Sequence, residues 1–300
     1  MDAHNRCPRS TSCANTKFSN GEERHASSFI ILLLNSCCLT ASGILHNILW
    51  YTERVISYID LLGFENYIQG HTSQDSRQLV KVFVDALKAS PGDAVLDRRT
   101  TWFSDTIVTS IPLVMSDGSP QLHGVLFHEL HALALAQADI FDQRQMFVRG
   151  AVTIGRVAHE DDAIFGPAFL KAYHLEQETC FPRIEVDREL LERYFRTREL
   201  VAAHHSRHSV DFRYVKPLIR KDTNKARYID YLGSIETEFD DPVYYPVFVQ
   251  KHRDAIVARL RDNDARIQAK FLWLAAYHNS VVVKKPTLAG GAYGNLRVPI

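Results

Sequence analysis

Tyr58-Ile59-Asp60-Leu61-Leu62-Gly63-Phe64 and, 45 positions further on, Phe103-Ser104-Asp105-Thr106-Ile107-Val108 each set one carboxylate within an apolar, strand-like run. Arg54 to Ile59 reads as a buried strand ending at Asp60, and Gly63 allows a tight turn behind it. Trp102-Phe103 and Ile107 to Ile111 flank Ser104-Asp105 as two arms of a hairpin, with the carboxylate near its tip. A buried carboxylate is costly without a compensating partner, and a divalent cation is one such partner. Either aspartate alone is accounted for by a turn or a helix cap. Taken together they form a candidate two-carboxylate metal site.

The flanking sequence supplies the rest of an α+β order. Gln74 to Lys88 carries Leu79, Val82, Phe83, Ala86 and Leu87 at helical spacing, and Pro91-Gly92 stops it. Leu122 to Gln143 repeats the helical pattern, and Met146 to Gly155 reads as a strand. Gly166-Pro167 opens a third helix running to about Glu178, and Phe181 to Val186 closes the series as a strand. Strand, helix, hairpin, helix, strand contains the ferredoxin-like βαββαβ element, in which the end of the first strand and the hairpin tip approach one another. Beyond Asp187 the charged segments 188–203, 246–263 and 264–279 read as helices. Residues 52–187 are therefore taken as the catalytic domain and 188–300 as a helical C-terminal extension.

Bulk composition narrows the function without naming it. Of 300 residues 46% are hydrophobic and 23% charged, enough for one substantial core. Thirty-five basic residues balance thirty-five acidic ones, so no overall field attracts nucleic acid, and any phosphate binding is local. Four of five cysteines (Cys7, Cys13, Cys37, Cys38) crowd the first 38 residues, which is no disulfide framework and fits a cytoplasmic chain. Residues 1–28 have a composition typical of disorder. Phe29 to Trp50 is long enough to span a bilayer but is interrupted by Asn35, His46 and Asn47. It reads as a weak membrane or signal segment, as a buried helix, or as translated upstream sequence. The last is preferred, with residues 1–51 set apart from the domain, although Met115 is the first methionine after Met1.

Paired carboxylates at a strand end and a hairpin tip suit two divalent ions about 3.5–4 Å apart, the arrangement used for in-line displacement at phosphorus. The turn Leu61-Leu62-Gly63-Phe64-Glu65 would offer backbone amides to a triphosphate. With Arg149-Gly150-Ala151-Val152-Thr153-Ile154-Gly155, Phe165-Gly166-Pro167-Ala168 and Ala172-Tyr173-His174-Leu175-Glu176, the two aspartate motifs resemble, in order, those of class III nucleotide cyclases. They look most like the pyrimidine cyclases of the Pycsar antiphage system. The resemblance spans roughly residues 52–187, and Lys270 to Leu274 with Tyr277-His278-Asn279 looks like that subfamily's helical tail.

The resemblance implies a class III cyclase catalytic domain working as a head-to-tail homodimer, with active sites at the interface. It implies two Mn²⁺ or Mg²⁺ ions held by Asp60, Leu61 and Asp105, and substrate contacts from Leu61, Gly63, Phe64, Thr101 and Arg149. Lys171 is assigned as a catalytic cation. The implied reaction converts UTP, ahead of CTP, to a 3′,5′-cyclic monophosphate and pyrophosphate, the cyclic product being read by a separate effector protein in defence against phage.

Four positions depart from the purine-cyclase pattern. The base-selecting places hold Thr101 and Ala163, and those of the transition-state Asn and Arg hold Leu170 and His174. An adenylate cyclase of the usual kind is thereby disfavoured, and two donors to the pentavalent phosphorus are missing. Lys171, His174, Arg98, Arg149 and Arg183 are the replacement cations on offer. A catalytically silent nucleotide-binding sensor or scaffold is the alternative reading, and a palm-like nucleotidyltransferase a third. His128-Glu129-Leu130-His131 lacks the i, i+4 histidines of a zincin helix. Cys180 reads as a small packed residue, and Trp273 with Tyr277 as packing.

Overall fold

Val55, Ile56 and Ile59, β-branched and fully buried, make β1 (Thr52–Leu62) an interior strand of the sheet. A strand covered on both faces carries a continuous apolar run rather than a strict alternation. The computed structural model describes residues 51–88, 93–161, 163–288 and 295–300. The segment Phe29 to Trp50, the four early cysteines and the Pro91-Gly92 stop lie outside them.

After β1 come α1 (Phe64–Gly70), α2 (Ser73–Lys88), α3 (Asp93–Leu96), β2 (Arg99–Phe103), β3 (Thr106–Pro112), α4 (Val125–Arg144) and β4 (Phe147–His159). Then follow β5 (Ile164–Phe165), α5 (Pro167–Glu178), β6 (Ile184–Val186), α6 (Arg188–Arg196) and α7 (His208–Val215). The chain continues through β7 (Ile219–Lys221), β8 (Arg227–Ile229), α8 (Tyr231–Ser234), α9 (Tyr244–Arg259) and α10 (Ala265–Lys284). The sheet order is β2-β3-β1-β4-β6-β8-β7, with β5 folded onto the end of β4. The first four strands, antiparallel to their neighbours in the order 2-3-1-4, are those of the ferredoxin-like α+β element. The α5 crossover then adds β6 parallel to β4.

One face of the sheet sends Val55, Ile59 and Leu61 against α2 and α4 through Leu79, Phe83, Leu130 and Leu133. The other sends Ile56, Tyr58 and Val108 against Ala168 and Ala172 of α5. Small residues at that contact let α5 lie close to the strands. Gly150 is needed for a related reason: a Cβ there would stand 2.5 Å from the Tyr58 carbonyl oxygen.

Helix α4 starts at Val125, three residues later than the apolar pattern suggests, with Gly124 before it in the left-handed conformation. The described residues beyond position 187 are mainly helical, but β7 and β8 also extend the sheet beyond β6. Three-residue strands leave no periodicity to read in a sequence. Residues on both sides of position 187, including Val186, Tyr194, Phe248 and Leu274, share one core. Among the described residues no helix is long and apolar enough to cross a membrane.

Candidate active site

Phe103, Thr106, Asp60 and Arg149 face one another across β2, β3, β1 and β4, so they form one cross-strand row on the α5 side. Asp105 lies one residue before Thr106, in the two-residue turn Ser104-Asp105. Ser104 takes φ 56°, the left-handed conformation that such a hairpin requires at its first turn position. The Leu61 amide donates to the Asp105 carbonyl at 3.0 Å, tying the hairpin tip to the end of β1. As a result the two aspartates stand side by side, close enough for Asp105 to help raise the Asp60 pKa.

Burial pushes the Asp60 carboxyl up to about 6; the Arg149 guanidinium offsets part of that, and Asp105 and Glu176 add like-charge repulsion. Arg149 Nη2 lies 3.3 Å from Asp60 Oδ2, while its Nε lies 2.5 Å from Glu176 Oε1. Glu176 is buried at the far end of the Ala168-Ala172 face of α5. Two carboxylates, Asp60 and Glu176, thus share one guanidinium, with Asp105 beside Asp60. An excess of negative charge drawn partly out of water, made of hard oxygen donors, is a setting that fits a divalent cation. Asp60 and Asp105 would hold it.

The other expected residues are distributed differently. Leu61 turns its side chain into the α2–α4 core, leaving only its backbone near the carboxylates. Gly63 adopts φ 84° at the start of the seven-residue α1, and the Phe64 side chain is buried. Thr101 is on the face and in the row adjoining that of Asp60, and its Oγ1 lies 2.9 Å from His159 Nε2. His159 Nδ1 is in turn 2.7 Å from Ser110 Oγ.

Within the single chain Lys171 is not brought to Asp60 or Asp105. Its ammonium is held 2.6 Å from Asp187 and 2.5 Å from Glu189, beyond the end of β6. Arg98 is buried against Glu129 at 3.2 Å, and Arg183 is committed to Glu185 and Asp222 under the rings of Tyr228 and Trp273. Of the replacement cations offered by the sequence, Arg149 alone meets Asp60 among the described residues. The Glu129 of His128-Glu129-Leu130-His131 takes hydrogen bonds from Ser57 and Thr109, a buried structural role. Glu176 went unnoticed as a site residue. Its signal was present, since Ala168, Ala172 and Glu176 recur every fourth residue on the buried face of one helix.

No protein-family model and no curated protein matches the sequence. Among solved structures the chain is similar to a class III adenylyl cyclase-like ATP-binding protein from Pseudomonas aeruginosa, with 8% identity and a TM-score of 0.35. That match covers 47% of this chain and 34% of the other, so the chain spans about a third of that relative's length. An adenylate/guanylate cyclase/hydrolase from Silicibacter pomeroyi is similar at 16% identity and a TM-score of 0.35, covering 49% of this chain and 83% of that one. The guanylyl cyclase domain of the RhoGC fusion protein from Blastocladiella emersonii is similar at 10% identity and a TM-score of 0.35, covering 60% and 96%.

Proposed function

We propose that this chain is a metal-dependent nucleotide cyclase acting on a pyrimidine triphosphate, UTP ahead of CTP, and releasing the 3′,5′-cyclic monophosphate and pyrophosphate. The observation that carries the reading is the meeting of Asp60 and Asp105 on a ferredoxin-like sheet, with Asp60 held at about 6 by burial and by its neighbours. Mn²⁺ or Mg²⁺ on this pair would lower the pKa of the attacking ribose hydroxyl and neutralise phosphate charge. Arg149 orients Asp60 from the adjoining strand. The backbone of Leu61, Gly63 and Phe64 forms the turn nearest the pair, and Thr101 occupies the neighbouring row, where a base could lie.

The reading includes a homodimer. Phe103 in the Asp60 row and Tyr173 against Tyr58 are 44% and 38% exposed, apolar surface that a second copy would cover. A cytoplasmic setting and a separate effector that reads the cyclic product complete the proposal, both resting on the motif resemblance. The second reading, a silent nucleotide-binding module, draws on Lys171 being committed to Asp187 and Glu189 and Arg149 to Asp60 and Glu176. Incubating the full chain with each of the four ribonucleoside triphosphates and Mn²⁺, then resolving products by mass, separates the two. A cyclic pyrimidine monophosphate is expected; binding without a cyclic product supports the silent module, and linear or dinucleotide products a nucleotidyltransferase.

A further inference from the structure

A cavity of about 540 Å³ opens beyond the carboxylate pair, between the end of β1 and the C-terminal helices α9 and α10. Its size lies in the range of small-molecule sites. Leu62 and Gly63 form its floor, one cross-strand row past Asp60 and Arg149. Arg144, Arg259 and Lys270 converge on it from three separate helices, and no Asp or Glu lines it. None of the three cations makes an ion pair among the described residues, and Arg144 Nε is buried without a hydrogen-bond partner.

Helix ends account for part of this charge but not all of it. Arg144 and Arg259 occupy the last turns of α4 and α9, where each helix end presents roughly half a negative charge. Asp75 attracts Arg144 electrostatically, and three cations against that carboxylate and about one unit of dipole charge still leave a net positive cavity. Its walls are aromatic as well: Tyr67 stacks on His71 with ring centroids 3.9 Å apart, and Phe271 packs edge-on to Phe147. Flat rings beside unpaired guanidinium and ammonium groups suit a molecule that combines an aromatic ring with phosphate.

From this we infer that the cavity is a second ligand site, separate from the two aspartates, which takes a nucleoside phosphate without a metal. Cations fill the role that a metal ion plays beside carboxylates. Because the floor is the strand end that carries Asp60, an occupant would touch the same turn as the proposed substrate. The inference stands whether or not the aspartates turn nucleotide over.

Calorimetric titration of the full chain in EDTA, with UMP, AMP and inorganic pyrophosphate as probes, tests it. Saturable binding of at least one nucleotide is expected, weakened tenfold or more in the Arg259→Ala/Lys270→Ala double variant and unchanged in Asp105→Asn. Both substituted cations lie on helix surfaces, and an unchanged melting curve verifies that the double variant is folded. No saturable nucleotide binding at millimolar concentration would overturn the inference. So would binding lost in Asp105→Asn but kept in the double variant, which assigns the ligand to the aspartates. Pyrophosphate binding as tightly as either nucleotide would overturn the role given to the rings.

Discussion

Replacing Asp60 by Asn should make the metal-free protein more stable while removing its proposed activity. The Asp60 carboxyl is raised from 3.8 to about 6, so the folded chain disfavours the charged form. At neutral pH that shift corresponds to about 3 kcal/mol of lost stability at 1.4 kcal/mol per pH unit. The side chain is 20% exposed, and solvent screening reduces the recoverable part to about 2 kcal/mol. Asparagine keeps the shape and a hydrogen-bond acceptor for Arg149, and it removes the charge. For a folded unit of this size the melting temperature should rise by roughly 4–8 °C. Mn²⁺ at a hundredfold excess over its dissociation constant should stabilise the wild-type chain by about 2.7 kcal/mol and leave the variant where it was. Scanning calorimetry at pH 7.5 with EDTA and with Mn²⁺ reads both. A variant melting below the wild type in EDTA, or one that gains as much from Mn²⁺, would refute the charge argument.

Further expectations follow from the same packing. Arg98→Met leaves the buried Glu129 charge unpaired and should lower stability by about 3–5 kcal/mol in urea unfolding, and Glu129→Gln, which takes the carboxylate from an equally buried guanidinium, should lower it comparably. Gly150→Ala drives a methyl group to 2.5 Å from the Tyr58 carbonyl and should cost about 3 kcal/mol, read from the same curves. His159 is buried beside Arg54 and Arg99, and its pKa is lowered to about 4; its stabilising contribution is complete above pH 6.5 and is lost as pH falls toward 4. Asp60 acts in the opposite sense, regaining stability as pH falls from about 6 toward 3.8. His159→Gln should therefore flatten the acid loss of stability between pH 6.5 and 4, measured as urea midpoints against pH. Lys171→Met should leave product formation at the wild-type level, because the ammonium is held on Asp187 and Glu189.

The order of β1, α2, the β2–β3 hairpin, α4, β4 and α5 was legible because each element is long or carries punctuation: Gly63, the polar pair Ser104-Asp105, or Gly166-Pro167. The nearness of Asp60 and Asp105 follows from that order, since the fold brings the end of β1 to the hairpin tip. Short strands are another matter. β7 and β8 have three residues each, and the pairing of Glu185 with Tyr228 that attaches them to the sheet has no local signal. The partners of charged residues were equally illegible. Arg149 could be placed on a strand, but its sharing between Asp60 and Glu176 depends on how α5 lies across the sheet. Lys171 was singled out for its position in a helical motif, and only the juxtaposition of α5 with the β6–α6 junction commits it elsewhere. The cavity between β1 and the C-terminal helices joins residues about 200 positions apart, a coincidence of tertiary packing alone.

The account turns on Asp60 and Asp105 acting together on a nucleoside triphosphate. The most direct measurement is the amount of cyclic pyrimidine monophosphate formed from UTP and from CTP with Mn²⁺, compared among wild type, Asp60→Asn and Asp105→Asn, each first verified as folded by its melting curve. Cyclic product is expected from the wild type alone. Undiminished product from either folded variant would contradict the account.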